Sequence, residues 1–165
     1  LEFAEDYAFE TQPADDFCEA IEYYCDYVTR VLLDERKLFK HVETKIEKRV
    51  HMAWYDRRDL FGTVDCIVYT PLSSNSKGNL HIIDYKHGAG ISVDVGATNF
   101  KPNRQLMYYL LATIETLACD YGHAIEDTGY TIADYIANTY NKLFLDCFQI
   151  RNKPARTLQS KPAPR

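Results

Sequence analysis

Apolar side chains recur every three or four positions over residues 15–38, a spacing that places them on one side of a helix. Residues 104–122, "RQLMYYLLATIETLACDYG", repeat this spacing but are apolar on more than one side, which predicts a largely buried second helix that stops at Gly122. A third helical stretch covers residues 131–140. The pattern therefore predicts two long helices and a short one.

Other segments have the composition and the two-residue alternation of strands. Residues 40–55 form a first strand that runs into a bend. Residues 60–70 and 80–86 are apolar and β-branched, and the Pro, Ser, Asn and Gly between them predict an antiparallel hairpin. Residues 142–150 give the last strand. We therefore expect an α/β fold whose mixed central sheet is covered by helices on both faces.

Length and composition limit the class of protein to which the chain can belong. With 165 residues, 46% of them apolar and 26% charged, the chain suits one folded domain, which we place at residues 1–150. No segment has the roughly 18 consecutive apolar residues of a membrane span, and the first residues lack the basic-then-apolar pattern of a signal peptide. These features predict a soluble, cytoplasmic protein with no membrane partner.

The charge is unevenly distributed along the chain. The formal net charge is -5, but residues 151–165 carry five positive charges and no acid, so residues 1–150 carry -10. The net negative charge of residues 1–150 argues against binding of nucleic acid through overall electrostatic attraction. A local basic channel and the basic tail could still bind it. The tail is rich in Pro and is predicted to be disordered.

The cysteines favour a reducing environment. There are five of them, an odd number, scattered along the chain with no C-x-x-C pair. Such spacing favours free thiols in the cytoplasm over disulfides or a structural zinc. We also expect no iron–sulfur cluster, because the spacing of cluster ligands is not present.

The candidate chemistry lies in the hairpin. Asp84 and Lys86 are two apart on a strand and share one face. A hairpin symmetric about Asn75 places Asp65 nearly opposite Asp84, where two like charges would destabilise a sheet. A divalent cation such as Mg2+ or Mn2+ would neutralise them through oxygen ligands. Gly62 would leave room for a phosphate backbone to approach.

Paired carboxylates with a lysine suit metal-assisted hydrolysis of a phosphodiester, because the metal polarises the phosphate and the lysine orients water or neutralises developing charge. Taken alone, each piece has a simpler interpretation. Asp84 and Lys86 would be a solvated ion pair, and Gln105 and Tyr109, four apart on one helix face, would be a helix-start residue and a packed ring. His81 points to the face opposite Asp84 and is predicted to pack in the sheet.

The segments "GTVD", "DYK" and "QLMYY" together resemble the G-x-x-D, D-x-K and Q-x-x-x-Y pattern of the RecB-like branch of the PD-(D/E)XK nuclease superfamily. That branch includes lambda-type and CRISPR-associated exonucleases. The chain is most similar to an uncharacterised phage- and prophage-associated family of the branch, and the match covers residues 42–112. The resemblance implies a restriction-endonuclease-like αβββαβ core.

The resemblance also implies roles for individual residues. Asp65 and Asp84 would be metal ligands, with the backbone carbonyl of Tyr85 as a third and Lys86 as the catalytic lysine. Glu43 matches a strand glutamate that would approach the metal, and a surface carboxylate on an edge strand is the alternative.

The second helix would contribute the contacts to substrate. By the resemblance, Gln105 and Tyr109 would position DNA or the metal-bound water. Arg104 stands at the helix N-terminus, where it could contact a phosphate, and a solvated helix start is the alternative.

Two functions follow as expectations. The first is a Mg2+- or Mn2+-dependent deoxyribonuclease, an exonuclease acting in phage recombination or DNA processing, with DNA as substrate and a homo-oligomer or recombination protein as possible partner. The second is a nucleic-acid-binding or scaffold module that keeps the nuclease fold without turnover. It is motivated by the acidic body and by residues 15–38, which lack the metal-binding histidine that RecB-type enzymes often carry in the first helix. A small-molecule enzyme is disfavoured because the chain has no Gly-rich phosphate loop and no nucleophile elbow.

Overall fold

The computed structural model of the protein describes residues 12–52, 60–70, 77–87, 104–122 and 124–150. The tip of the predicted hairpin and the basic tail lie outside the described residues, so the expectations for them stay predictions. Within the described residues the elements follow in the order α1 (Gln12–Leu38), β1 (Glu43–His51), β2 (Phe61–Tyr69), β3 (Gly78–His87), α2 (Arg104–Asp120), a 3₁₀ turn (Ile125–Thr128), α3 (Ile132–Thr139) and β4 (Tyr140–Ile150).

The four strands form one mixed sheet in the order β1-β2-β3-β4. β1, β2 and β3 pair antiparallel, whereas β4 runs parallel to β3. The predicted α/β fold with a mixed central sheet is confirmed, and so is the predicted order of helices and strands. None of the described helices is long and apolar enough to cross a bilayer.

The ends of the helices follow local sequence chemistry. Gly122 ends the α2 segment with φ of 74°, a left-handed conformation that glycine adopts without steric cost, as its position predicted. α3 begins with a capping box: the Thr131 hydroxyl accepts from the Asp134 backbone N–H, and the Asp134 carboxylate accepts from the Thr131 N–H. These contacts satisfy N–H groups that the first turn of a helix leaves free.

The sheet is sandwiched between α1 and α2, and alternate strand residues face each helix. The face toward α1 buries a small cluster around Cys66, Val68 and Ile83. The face toward α2 carries the larger core, in which Ile67, Tyr69, Leu80 and Ile82 pack against Leu106, Leu110, Ile114 and Leu117. α2 is buried along most of its length, as its apolar pattern predicted.

β1 contains a backbone irregularity that the sequence does not announce. Glu47 has φ of 48°, a left-handed conformation that costs a residue with a Cβ roughly 1–2 kcal/mol. The residues on either side of Glu47 keep one continuous register with β2, which places Glu47 across from Asp65. The distortion therefore lies beside one of the two aspartates of interest.

The irregularity reverses which side of each strand faces α2. Lys45 and Lys48 are an odd number of positions apart, yet both reach Asp120 of α2, at 3.9 and 2.9 Å. On β2, a Cβ at Gly62 would point at α2, and Ile67 packs in the α2-facing core although it is also an odd number of positions away. In a regular strand such residues would lie on opposite faces.

We predict that Glu47→Gly does not lower stability, because glycine adopts a positive φ without steric cost and this offsets its larger entropy in the unfolded chain. Thr44→Gly, at an exposed and regularly paired position of the same strand, should cost about 0.5–1 kcal/mol. Urea unfolding of both variants measures the difference. An equal loss of stability in the two would contradict the assignment of strain to Glu47.

Candidate active site

The hairpin register brings the two aspartates together. β2 and β3 pair from Tyr69 with Leu80 to Cys66 with Ile83, and the next position in that register sets Asp65 across from Asp84. There the ladder changes: the Tyr85 backbone N–H donates to Oδ2 of Asp65 at 2.7 Å. A side-chain carboxylate thus takes the hydrogen bond at the end of the strand pairing. The predicted proximity of Asp65 and Asp84 agrees with this register.

Asp84 is a buried carboxylate held by a lysine. Its side chain is 4% exposed, and the Lys86 ammonium lies 3.1 Å from Oδ1 and 2.9 Å from Oδ2. Both side chains point to the α2 side of β3, like Leu80 and Ile82, as their two-residue spacing predicted. Lys86 itself is 35% exposed, so the pair is not a fully solvated ion pair, which was the simpler interpretation of D-x-K.

Electrostatics at Asp84 oppose its ionisation. Burial raises the pKa of the Asp84 carboxyl, and the neighbouring Asp65 raises it further, while the hydrogen bond and charge of Lys86 act in the opposite direction without cancelling the rise. Burial alone would lower the pKa of Lys86, but the hydrogen bond and charge of Asp84 outweigh it and the pKa of Lys86 rises. Additional positive charge at this point would therefore stabilise the ionised aspartates.

α2 places two further polar groups at the same site. Gln105 donates to the Tyr109 hydroxyl at 3.0 Å, one helical turn away. The Tyr109 hydroxyl in turn contributes to the electrostatic environment of Lys86. The structure therefore brings Gln105 and Tyr109 to the side of the sheet that carries Asp84 and Lys86.

Gly62 serves a different purpose from the one its position suggested. A Cβ at Gly62 would lie 2.9 Å from Cε1 of Tyr109 and 3.3 Å from Cε1 of Tyr108. The space beside this glycine is thus filled by two tyrosine rings of α2. The expectation that it would admit a phosphate backbone is wrong for this arrangement. Gly62 instead lets the Tyr109 ring approach the strand closely.

Glu43 does not belong to this cluster. It pairs with Tyr69 in the ladder, four residues along β2 from Asp65, which corresponds to about 13 Å. Its carboxylate accepts from the hydroxyls of Tyr69 and Tyr121. The expectation that Glu43 approaches the metal with the aspartates is therefore not met.

Two other predicted residues lie at the margin of the cluster. Tyr85 supplies its N–H to Asp65, while its ring points to the α1 side, 4.9 Å from the ring of Tyr24. Its carbonyl as a metal ligand stays a prediction. Arg104 is exposed in the first turn of α2, next to Gln105.

Cys147 lies beside the site, although its position in the sequence does not indicate this. The parallel register of β3 and β4 sets Cys147 beside Asp84, and Cys147 packs against the α2-facing core. Burial raises the pKa of its thiol, the charges of Asp84 and Asp65 raise it further, and Lys86 lowers it. The thiol is therefore within electrostatic reach of all three charged groups. Residues 142–150 were predicted as a strand, but their sequence does not indicate that this strand pairs with β3.

The donor set at the site is a pair of carboxylates. In the part of the chain that the structure describes, no three His, Cys, Asp or Glu side chains are grouped closely enough to hold a metal ion. Asp65 and Asp84 nevertheless suit a hard cation such as Mg2+, which binds through one or two carboxylates and keeps several waters. The two residues thus fit an ion that takes most of its ligands from solvent or substrate.

Fold and site together define an α/β protein in which a buried aspartate, a partly buried aspartate and a lysine meet at the end of a hairpin. The chain belongs to the family described as "Protein of unknown function (DUF2800)", whose profile matches residues 3–132. The matched region contains every residue of the cluster except Cys147. No curated protein and no solved structure matches the chain.

We predict that Gly62→Ala lowers stability by about 1–3 kcal/mol, because its Cβ overlaps the Tyr109 ring. In a Tyr109→Ala background the same change should cost much less, since the ring it displaces is gone. Urea unfolding of the four proteins gives the coupling between the two positions. Equal costs of Gly62→Ala in both backgrounds would refute the packing role of Tyr109.

We predict that Asp84→Asn raises the melting temperature at neutral pH by a few degrees in buffer containing EDTA. The raised pKa of Asp84 means that the ionised carboxylate is disfavoured in the folded state. Below about pH 3.9 the wild type loses no stability from this carboxylate, because it is protonated in the folded and the unfolded state. The stability of the wild type relative to the variant then falls as the pH rises through the folded-state pKa. Thermal melts across this range, with the exposed Asp26→Asn as control, test it. A variant that melts lower than wild type at neutral pH would contradict the account.

Proposed function

We propose that the protein is a Mg2+- or Mn2+-dependent deoxyribonuclease, and within that class an exonuclease acting in phage recombination or DNA processing. The observation that carries the proposal is the meeting of Asp65, Asp84 and Lys86 at the end of β2 and β3. The finer assignment to an exonuclease is supported by the resemblance of the G-x-x-D, D-x-K and Q-x-x-x-Y motifs to the RecB-like nucleases.

A bound divalent cation would polarise the phosphate and stabilise the charge that develops on the leaving oxygen. Asp65 and Asp84 are the residues that would hold it. One oxygen of Asp65 is engaged by the Tyr85 N–H, which fixes the orientation of the carboxylate and leaves the other oxygen for a ligand. Both oxygens of Asp84 face the Lys86 ammonium, which balances their charge.

Lys86 acts as a cation in this proposal. Its pKa is raised, so the amine remains protonated at neutral pH and is unsuited to abstract a proton. A protonated amine can donate hydrogen bonds to a phosphate oxygen or to the attacking water, and it neutralises negative charge that develops in the transition state. At 35% exposure the side chain can reach a substrate that enters from solvent.

Gln105 and Tyr109 orient the substrate. Because the Tyr109 hydroxyl accepts from Gln105, its own proton can be donated to a phosphate oxygen. Arg104, exposed in the same helical turn, adds a second positive charge to that of Lys86. These three residues place the DNA backbone beside Lys86.

A binding or scaffold module without turnover is the second candidate. The observation that favours it is the small donor set, since only two carboxylates of the described residues meet at the site. The two candidates differ in one property, which is metal-dependent cleavage.

We predict that the purified chain shortens end-labelled linear DNA in Mg2+ or Mn2+ and not in EDTA. Lys86→Ala should reduce the rate by about a hundredfold or more, because it removes a cation that stabilises transition-state charge. Lys142→Ala removes an exposed lysine of β4 and should leave the rate unchanged. Single-stranded and double-stranded substrates, labelled at either end, identify the preferred strand and direction.

Binding of DNA without cleavage in any metal, by a chain that circular dichroism shows to be folded, would favour the scaffold module. Cleavage that survives Lys86→Ala undiminished would refute the assigned role of the lysine. A folded chain that neither binds nor cuts DNA would refute both candidates.

A further inference from the structure

The face of the sheet opposite the nuclease site buries a second polar cluster, between α1 and β3. Glu35 of α1 and His81 of β3 have side chains only 7% and 8% exposed, and Nε2 of His81 lies 2.9 Å from Oε1 of Glu35. The Asn79 amide donates to both oxygens of Glu35, at 3.1 and 3.0 Å. His81 thus faces away from Asp84, as predicted, but it pairs with an acid instead of merely packing in the sheet.

These hydrogen bonds assign the histidine tautomer. Asn79 donates to both oxygens of Glu35, which therefore act as hydrogen-bond acceptors. Oε1 of Glu35 is thus the acceptor and Nε2 of His81 the donor in the contact between them, which leaves Nδ1 as the ring nitrogen that can take up a cation. Nδ1 is buried and has no hydrogen-bond partner among the described residues.

The charged group that faces Nδ1 of His81 is the Asp146 carboxylate, which is another hydrogen-bond acceptor. Oδ2 of Asp146, on β4, lies 4.0 Å from Nδ1 of His81. Burial raises the pKa of the Tyr27 hydroxyl of α1, and the nearby Asp146 raises it further. The His81 ring is stacked on Phe144, with 4.2 Å between the ring centroids. Two lone pairs that face each other are repulsive unless something positive lies between them. Two carboxylates, Glu35 and Asp146, also flank this one ring, so a positive charge between Nδ1 and Asp146 would balance the cluster.

We propose that Nδ1 of His81 and the carboxylate of Asp146 bind a divalent transition-metal cation such as Zn2+. A histidine whose other nitrogen donates to a carboxylate is the usual arrangement around a metal-bound imidazole, and here Glu35 is that carboxylate. Imidazole with carboxylate is a donor set that zinc accepts, and water completes the coordination. The cation would balance the charges of Glu35 and Asp146.

The geometry requires a small adjustment. Two ligands of a tetrahedral zinc lie about 3.4 Å apart, given bonds of about 2.1 Å, whereas Nδ1 and Oδ2 are 4.0 Å apart. Asp146 is 32% exposed, so its side chain can rotate toward the ring and the cation can enter from solvent on that side. The bound cation would join α1, β3 and β4, since Glu35, His81 and Asp146 come from these three elements. This inference is independent of the nuclease proposal.

The test measures Zn2+ binding by isothermal titration calorimetry to the full chain carrying Asp65→Asn and Asp84→Asn, so that the proposed nuclease site cannot contribute. One equivalent should bind. In this background Asp146→Asn and His81→Gln should each weaken binding by about tenfold or more, whereas the exposed His41→Gln should have no effect. Gln at position 81 keeps a donor toward Glu35, and Asn at position 146 keeps the shape of the aspartate.

Absence of saturable Zn2+ binding, or binding unchanged by Asp146→Asn, would overturn the proposal. If His81→Gln fails to fold by circular dichroism, Asp146→Asn decides alone, because Asp146 is partly exposed. Nitrogen-15 spectra of the histidines give a second readout. Zn2+ should shift Nδ1 of His81, and a ring that stays protonated on both nitrogens in excess Zn2+ would show that a proton fills the space. Either result leaves the DNA cleavage experiment unaffected.

Discussion

The burial of the Asp84 carboxylate beside Asp65 is the constraint on which the rest of the site depends. A carboxylate that is 4% exposed is costly to ionise, and Lys86 offsets only part of that cost. The fold maintains this arrangement because β3 is held on both sides, by β2 and by β4, and is covered by helices on both faces. The unfavourable charge thus lies on a strand that is paired on both sides and covered on both faces, where the surrounding core can sustain a local cost.

β3 connects the two polar clusters of the protein. Its side chains alternate, so that His81 faces α1 while Asp84 and Lys86 face α2. Each cluster uses a backbone or amide donor to orient one carboxylate: the Tyr85 N–H holds Asp65, and the Asn79 amide holds Glu35. A carboxylate oriented in this way loses little freedom when it binds a cation or a histidine. The same strand therefore presents an ordered acid on each face of the sheet.

Much of the fold could be predicted because hydrophobic spacing is a local property. The three-and-four repeat of residues 15–38 and the alternation in the hairpin gave the elements within a few residues of their ends. The short span between the two strands limits the possible registers, so the facing of Asp65 and Asp84 followed from counting. Glu43 was misplaced because a motif match orders residues along the chain but does not measure distance along a strand.

The sequence by itself determined the helices, the strands, the hairpin register and the shared face of Asp84 and Lys86, since all of these depend on residues close together in the chain. Tertiary structure alone decided the reversal of faces at Glu47, the filling of the space at Gly62 by Tyr109, and the placement of Cys147 beside Asp84. Each of these joins residues that are distant in sequence. Such contacts form only when the whole sheet and its helices pack, so local propensity does not predict them.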